Sequence, residues 1–486
     1  MDKERKKWAR TQILVYIAIF ALLLISFILR LWPLQVSHWW DEAVYLQNAE
    51  VIYSGRVNYE EFDLRPPLLP MIFAFSYLFK HHIFTSGVMV ALLGTIGVFF
   101  MYLLGKEAYN ETVGIIAALS LGLSPFMVTA SHWIMTDSPS MTLIIMALYF
   151  LRRASKTQED YLFFFAGVFF SAAILMRFTS LVLIIVLALY FFVDRTSRRR
   201  IKICVLGFAL ALLPYLIWAQ YEYGFFLSPF IKANRAVSDA TGGGLFYLSH
   251  FIEVYPLLVV IGLLIYAVWE CRALISKERF GGNRRIEAQG AQSRMDVILV
   301  GWILLFLAYI SLVPHKEVRY ILPMAPAVYL LSSRGYTFLL SCKNRSVYYG
   351  VLFMVIILGV FSFSSSFSRL QEPFINEAVS DPVGVSQYIT SLYMEDGVIY
   401  ANTDYPVYAY YTGMDIKVLR DQDETFYESF ASTMDRKGFF VYYKNLKKEP
   451  AQEWLDAQKQ FTKLSEIGEI IVYEYNPPPN ASTSFS

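Results

Sequence analysis

The sequence is short of charge, of cysteine and of the glycine motifs that hold nucleotides. Charged residues make up 17% of it, where soluble domains average about a quarter, so a soluble enzyme is excluded as the main body of the chain. The three cysteines, Cys204, Cys271 and Cys342, all fall in or beside segments expected on the cytoplasmic side. No disulfide framework is therefore expected in an exported part. There is no GxGxxG or GxxxxGK to cradle a nucleotide phosphate, and no HExxH or Cys/His cluster for zinc, so neither a cofactor nor a metal is expected. A net charge of +2 gives no ground for a nucleic-acid partner.

What is present is apolar length. Of 486 residues 56% are hydrophobic and 17% aromatic, with a mean hydropathy of +0.43. The apolar residues come in runs of about 20, enough to cross a bilayer. The first, Ile13 to Trp32, is too long for a signal-peptide core and lacks a following small-residue cleavage site, so it is read as a retained span. Further spans are expected near Ser86 to Leu104, Thr112 to Ala130, Pro139 to Leu151, Tyr161 to Leu175, Ser180 to Val193, Ile201 to Trp218, Phe251 to Trp269, Val297 to Val313, Tyr320 to Leu340 and Val347 to Phe363. That is eleven in all. Lys and Arg clusters at Lys3 to Arg10, Arg152 to Lys156, Arg195 to Lys202, Arg272 to Arg294 and Lys343 to Arg345 then share one side, with a cytoplasmic N-terminus. Pro66 to Phe79 is short for a span and suits an interfacial or re-entrant segment.

From Phe367 onward there are 18 acids against 10 bases, leaving 32 bases against 22 acids before it. The expected division is a membrane domain over 1–366, including an outer first loop 33–82, and a soluble extracytoplasmic domain over 367–486. Alternating helix-like and strand-like segments in the tail, Pro382 to Tyr393, Gly397 to Ala401, Asp415 to Leu419, Glu424 to Arg436, Gly438 to Lys444, Pro450 to Phe461 and Glu469 to Tyr475, predict a small α/β fold. No repeat or heptad is present, and low complexity is confined to Gly242 to Gly244, Phe361 to Phe367 and Pro477 to Ser486.

On the side expected outside, polar residues gather at the ends of spans. His38-Trp39-Trp40-Asp41-Glu42 follows the first span directly. One reading is structural, with Asp41 as N-cap or first-turn acid of a helix and the tryptophans as interface anchors. The other is chemical: low dielectric and a like-charged neighbour let one carboxylate take a proton from an acceptor hydroxyl or amine. At the far end of the same loop, Arg65-Pro66-Pro67-Leu68 sets a guanidinium at the depth of a lipid phosphate, or else a snorkelling arginine. His132-Trp133-Ile134-Met135-Thr136-Asp137 offers Asp137 as a second acid or an N-cap.

The most specific element is His315-Lys316-Glu317-Val318-Arg319-Tyr320, a very short outer turn between two spans. So many ionisable groups at a membrane boundary mark a site more often than a solvated loop. Lys316 and Arg319 would hold a phosphate, and Glu317 would position a sugar hydroxyl or the cations themselves. A self-neutralising salt-bridge cluster is the structural alternative. Arg177, in the corner Met176-Arg177-Phe178-Thr179, adds a cation to the same side or packs between helices. Tyr221 to His250, with Gly242-Gly243-Gly244, is the expected acceptor loop. Asn110-Glu111-Thr112 and Asn480-Ala481-Ser482 fit a glycosylation sequon, the first on the side expected to be cytoplasmic.

These elements and their order resemble the multi-span GT-C glycosyltransferases, the class that contains protein O-mannosyltransferases and the lipid A aminoarabinose transferase. The resemblance rests on the acidic first loop with Asp41 and Glu42, the Arg65-Pro66-Pro67-Leu68 element, Asp137 and the soluble C-terminal domain, and it covers most of residues 1 to 366. His315 to Tyr320 is similar to the His-Lys-Glu-x-Arg-Phe signature of mannosyltransferases that use dolichyl-phosphate mannose. Three departures qualify it. Arg65 stands where the aminoarabinose transferase pattern has Lys, the chain has no inserted lectin-like region, and Trp39-Trp40-Asp41 sits in the first loop and not in a soluble domain as in oligosaccharyltransferases.

The resemblance implies an α-helical polytopic membrane protein of about eleven helices with the GT-C fold and a small α/β extracytoplasmic domain. It implies transfer of one sugar, a mannose-like hexose favoured, from a polyprenyl- or dolichyl-phosphate donor to a protein, lipid or glycan acceptor on the outer face. Displacement would be inverting and metal-independent. Asp41, Glu42 and Asp137 are the expected catalytic acids, and Arg65, Arg177, His315, Lys316, Glu317 and Arg319 the expected donor-binding residues. The rival expectations are a glycolipid transporter or flippase, which would carry midplane charges and a repeat, and a non-catalytic subunit of a glycan-assembly complex.

Overall fold

The computed structural model describes residues 2–32, 40–55, 64–80, 83–235, 242–277, 286–340, 345–371, 381–392, 394, 397–419, 434–444 and 452–477. His38, Trp39, Cys342, Asn480 and most of the expected helix Glu424 to Arg436 lie outside the described residues. Contacts divide the chain into two compact units, 1–34 with 52–371 and 35–51 with 372–486. The sequence suggests one cut after residue 366; the structure instead gives 35–51, a piece of the first loop, to the unit of the tail.

The first unit is helical, and each expected span coincides with helix. Gln12–Leu31, Ile83–Ala108, Ser197–Tyr223, Arg294–Leu312 and Tyr348–Ser365 are long and apolar enough to cross a bilayer, which makes this a multi-pass membrane protein. Several of the others are broken at proline, which has no N–H to give the helix ladder. Glu111–Leu123 passes to Pro125–Thr129 through Ser124, and Phe251–Val254 passes to Leu257–Lys277 around Pro256. Leu68–Tyr77 is a single helix of 10 residues, about 15 Å long at 1.5 Å per residue and half the depth of the bilayer core. It buries Leu69, Phe73 and Tyr77 and leaves Met71 and Phe75 exposed, with Leu78 and Phe79 exposed just beyond its end.

The break at Pro125 explains a buried cation that the hydropathy pattern passes over. Without an N–H on Pro125, the carbonyl of Leu121 loses its helical partner. Arg30, 3% exposed in the last turn of the first helix, donates to that carbonyl at 3.1 Å and to the carbonyl of Gly122 at 2.9 Å. A guanidinium thus ties the first helix to the broken one, just ahead of the segment that carries Asp137. Close helix approach is set elsewhere by small residues: a Cβ on Gly167 would collide with the carbonyl of Cys204, so Asp160–Met176 and Ile201–Tyr223 touch backbone to backbone. Asn110 accepts from Val113 N as the cap of its helix, an ordinary structural use of that sequon position.

The second unit is a five-stranded sheet in the order β2-β1-β3-β5-β4, with β1 Val398–Ala401, β2 Asp415–Val418, β3 Gly438–Tyr443, β4 Phe461–Ile467 and β5 Ile470–Tyr475. β1 pairs in parallel with β2 and β3, while β5 runs antiparallel to β3 and β4. Alternation divides the core into two faces. Ile399, Ala401, Phe439, Val441 and Tyr443 pack with Val385, Ile389 and Tyr408 from the helices Pro382–Ser391 and Tyr405–Thr412. Val398, Tyr400, Phe440 and Tyr442 pack with Leu455 from the helix Gln452–Ala457 on the other face. With both faces covered, β1 and β3 are buried along their whole length, as parallel strands require. The α/β character was expected; β4 and the helix Tyr405–Thr412 are additions, because a part-exposed strand and a Tyr-rich turn of helix carry weak local signals.

Candidate functional site

The expected site residues fall in both units. In the first, Asp137 opens the helix Asp137–Thr157, with Thr136 at the N-cap position, and its side chain is 1% exposed. Facing it is Arg177, in the extended corner between Asp160–Met176 and the short 3-10 helix Phe178–Val182. Arg177 Nη1 lies 2.9 Å from Asp137 Oδ1, yet neither Asp137 oxygen has an aligned hydrogen-bond donor among the described residues. The attraction is one of charge, and the guanidinium spends its hydrogen bonds on Thr136 Oγ1 at 3.2 Å and Thr179 Oγ1 at 3.1 Å.

Arg177 also joins the two polar motifs. Its guanidinium lies over the ring of Tyr320, 5.4 Å from the centroid, a cation–π contact. The Tyr320 hydroxyl donates to Glu317 Oε1 at 3.2 Å. Glu317 Oε1 also accepts from His315 Nε2 at 2.9 Å, and Oε2 from Arg319 Nε. Arg319 Nη1 in turn lies 2.6 Å from Met135 Sδ, two residues before Asp137. Asp137, Arg177, Tyr320, Glu317, His315 and Arg319 therefore form one continuous array. Burial pushes the Glu317 carboxyl up, but Arg319 and His315 together outweigh it and hold it below the ordinary glutamate range. Glu317 is an anion that arranges cations, the second of the two uses open to it from the sequence.

Lys316 faces a different task from its neighbour Arg319. It is 7% exposed, and its Nζ donates to the carbonyls of Ser311 at 2.9 Å and Val313 at 2.5 Å, with Ile310 at 3.4 Å. Those groups end the helix Ile286–Leu312, where four carbonyls lack intrahelical partners. The ammonium also lies 5.6 Å from the ring centroid of Tyr247, which is buried. Tyr247 was not singled out in the sequence; its nearness to Gly242-Gly243-Gly244 in the expected acceptor loop was the available signal. That loop contains the helices Ser228–Arg235 and Phe246–Ser249, and 236–241 lie outside the described residues.

An apolar cavity of about 420 Å³ opens in the same unit, lined among others by Pro67, Leu68, Met71, Leu175, Pro214 and Trp218. Arg65 precedes Pro67 by two residues and Arg177 follows Leu175 by two, so one cation lies close in sequence to each of two walls. Arg65 is half-buried ahead of the helix Leu68–Tyr77. His132, the other polar residue of its motif, bonds through Nε2 to the carbonyl of Leu29 at 2.9 Å. A carbonyl only accepts, so Nε2 carries the proton. Burial, opposed by this bond and reinforced by Arg30, pushes the imidazole down to about 4.

Asp41 and Glu42 belong to the second unit, in the first turn of the helix Trp40–Ser54. Glu42 is 1% exposed and Asp41 half-buried. Ala43 packs on Val383, Val407, Tyr410 and Tyr411, Gln47 Nε2 donates to the carbonyl of Pro406 at 2.9 Å, and the Trp40 ring meets Tyr405 edge-on at 4.3 Å. Burial, with the charge of Glu42 adding to it, raises the Tyr411 phenol. The structure thus brings Asp137, Arg177, His315, Glu317 and Arg319 together in one array and sets Asp41 and Glu42 within the fold of the other unit. Among the described residues no group of three or more His, Cys, Asp or Glu side chains is placed to hold a metal ion.

Residues 64–218 match the family model of the dolichyl-phosphate-mannose-protein mannosyltransferases. That stretch includes Arg65, Asp137 and Arg177. No curated protein sequence matches the chain significantly. Among solved structures, ArnT from Cupriavidus metallidurans bound to undecaprenyl phosphate is 13% identical with a TM-score of 0.70, over 97% of this chain and 99% of that one. The oligosaccharyltransferase of Archaeoglobus fulgidus is 13% identical with a TM-score of 0.62, over 87% of this chain and 67% of that one. The arabinofuranosyltransferase AftD from Mycobacteria is 14% identical with a TM-score of 0.57, over 96% of this chain but 42% of that one. At such identities the likeness is one of fold.

Proposed function

We propose that this chain, which has the GT-C fold of integral-membrane glycosyltransferases, moves a single sugar from a polyprenyl- or dolichyl-phosphate donor to an acceptor at the outer face of the membrane. A mannose-like hexose is favoured, because the family match and the His315 to Tyr320 turn both resemble users of dolichyl-phosphate mannose. The observation that carries the reading is the joining of the array of Asp137, Arg177, Tyr320, Glu317 and Arg319 into one network, in a unit that also holds the apolar cavity. An isoprenoid chain suits such a cavity, and its phosphate suits guanidinium groups at the membrane boundary.

In this mechanism Asp41 accepts the proton of the acceptor hydroxyl or amine. Asp41 is preferred to Glu42 because it is the more accessible of the two. The acceptor atom bonds to the anomeric carbon as the bond from that carbon to the phosphate oxygen breaks, and the electron pair leaves with the polyprenyl phosphate. One displacement inverts the centre. Arg65, Arg177 and Arg319 offset charge growing on the phosphate as the sugar becomes oxocarbenium-like. Glu317 and Asp137 aim the guanidinium groups, His315 buttresses Glu317, and Lys316 adds positive potential from its place on the helix end. No separate activated nucleotide is required, since the reactive bond is already in the donor.

The test is release of free polyprenyl phosphate from polyprenyl-phosphate hexoses by the purified protein in lipid nanodiscs, supplied with a glycan and protein acceptor mixture. Turnover by the wild type that is lost in Arg319→Gln supports the reading. No release with any donor would put a transporter or a non-catalytic subunit ahead of it.

A further inference from the structure

The helix Ile201–Tyr223 has one face against the protein and one that the chain leaves open. Cys204, Gly207, Tyr215 and Ala219 are buried, and a Cβ on Gly207 would collide with the Phe164 carbonyl of the helix Asp160–Met176. On the other side Leu206, Leu210, Leu213 and Ile217 are between 49% and 61% exposed. Their spacing of three and four residues puts them in one stripe. Lys202, four residues before Leu206, extends that stripe to the start of the helix. Arg199, three residues earlier again, stands in the 3-10 turn Ser197–Arg200 that leads into it. The stripe therefore begins with two cations and continues as apolar side chains.

The cations at the head of the stripe have no anion of their own. Arg195, Arg199 and Lys202 are exposed, and none of them forms an ion pair among the described residues. The carboxylates nearby are spent on other groups. Asp194, 7% exposed, accepts from Thr196 Oγ1 and Ser197 Oγ at 2.7 Å each and from Ser155, with Arg294 Nη1 at 3.9 Å. Asp160 pairs with Arg200, and Glu107 with Arg153 and Lys156. Arg198 turns back to the carbonyl of Phe191 at 2.9 Å, near the end of the helix Leu183–Val193. What remains is uncompensated positive charge at the end of a membrane span. An anion that is to answer it and also cover the apolar stripe must itself be amphipathic.

We propose that Arg199 and Lys202, with Arg195 in the same turn, bind the headgroup phosphate of an anionic phospholipid whose acyl chain lies along Leu206, Leu210, Leu213 and Ile217. Basic side chains beside a span attract anionic lipids, and guanidinium and ammonium groups both suit a phosphate. A zwitterionic lipid brings its own cation and gains less. The site is separate from the apolar cavity described above. Pro214, Tyr215 and Trp218 line that cavity together with Leu175, and Lys202 and Trp218 are about 24 Å apart along the axis at 1.5 Å per residue. The Asp160–Arg200 pair joins the same two helices at their other ends. The lipid site thus lies at the membrane face opposite Arg177, and it stands whether or not the chain transfers a sugar.

The test is native mass spectrometry of the full chain in detergent micelles, titrated with phosphatidylglycerol or with phosphatidylcholine of the same acyl chains. The wild type is expected to hold phosphatidylglycerol about tenfold more tightly or better, and Arg199→Gln and Lys202→Gln are each expected to weaken it about fivefold, the worth of one cation at an anionic lipid surface. Binding of phosphatidylcholine should not change. Both positions are exposed, so the substitutions leave the packed face of the helix intact. Arg153→Gln removes the same charge from a residue paired with Glu107 and is expected to leave both affinities alone. Equal affinity of the wild type for the two lipids, or unchanged phosphatidylglycerol binding in the double variant, overturns the site. So does an equal loss in Arg153→Gln, which would make net charge the cause. Glycerol phosphate, which has the phosphate and no acyl chain, should not displace the lipid even in large excess; displacement would overturn the lipid assignment in favour of a soluble phosphate.

Discussion

Asp137 Oδ1 and Arg177 Nη1 lie 2.9 Å apart, one at the start of a helix and the other in the corner after a different helix, and the carboxylate is sealed from water. The pair holds together by charge, without an aligned hydrogen bond. Arg177→Ala therefore strands a buried carboxylate, and the expected cost is about 3 kcal/mol or more. Thermal unfolding in detergent should show it. The double variant Asp137→Asn with Arg177→Ala should recover much of that stability and none of the transfer activity; recovered activity would mean that the pair is only structural.

Arg319 and Lys316 are neighbours in sequence with separate tasks, and their variants should separate in the same way. Arg319→Gln is expected to raise the KM for the polyprenyl-phosphate donor by at least tenfold, the effect of losing one charge-assisted contact. Lys316→Met should leave the helix-end carbonyls without a donor and lower thermal stability in the absence of any donor lipid. Equal effects of both variants on donor KM, with no change in stability for Lys316→Met, would return Lys316 to the phosphate.

Asp41→Asn should lower kcat by about two to four orders of magnitude, the usual worth of a general base, while leaving donor binding intact. Glu42→Gln, at a buried position, should act on stability first. If Asp41→Asn keeps wild-type turnover, Asp41 is not the base.

His132 gives the protein a pH dependence of predictable sign. Its imidazole is held down to about 4 by burial, below the ordinary value near 6.5. The folded state therefore prefers the neutral ring, and the stability this contributes is present above about pH 6.5 and is lost as pH falls towards 4. Melting temperature measured across that interval should fall, and the fall should be shallower in His132→Gln. A variant profile parallel to the wild type would remove His132 from the account.

Much of this was open to reading because the signals are local. A run of about 20 apolar residues needs no partner to declare itself, and ionisable groups that cannot rest in lipid collect at span ends, which is how Asp41, Arg65, Asp137 and the His315 to Tyr320 turn stood out. Arg30 was legible in principle, as a charge near the end of an apolar run on the side expected to be poor in cations. Its task was not, since the Leu121 carbonyl it satisfies lies in another helix and is vacant only because Pro125 follows.

The sequence by itself determined that the chain crosses a membrane many times, that a small α/β part follows, and where along the chain the chemistry-bearing residues stand. Only the tertiary structure decided which of them meet. Asp137 finds Arg177, and Arg177 finds Tyr320, through the packing of separate helices. Lys316 turns to a helix end while Arg319 turns to Glu317. Residues 40–51 fold with the tail and not with the helices that precede and follow them in sequence. The physical reason is the same in each case. Hydropathy and periodicity are properties of neighbours along the chain, whereas a charge pair or a satisfied carbonyl exists only between segments that folding has brought together.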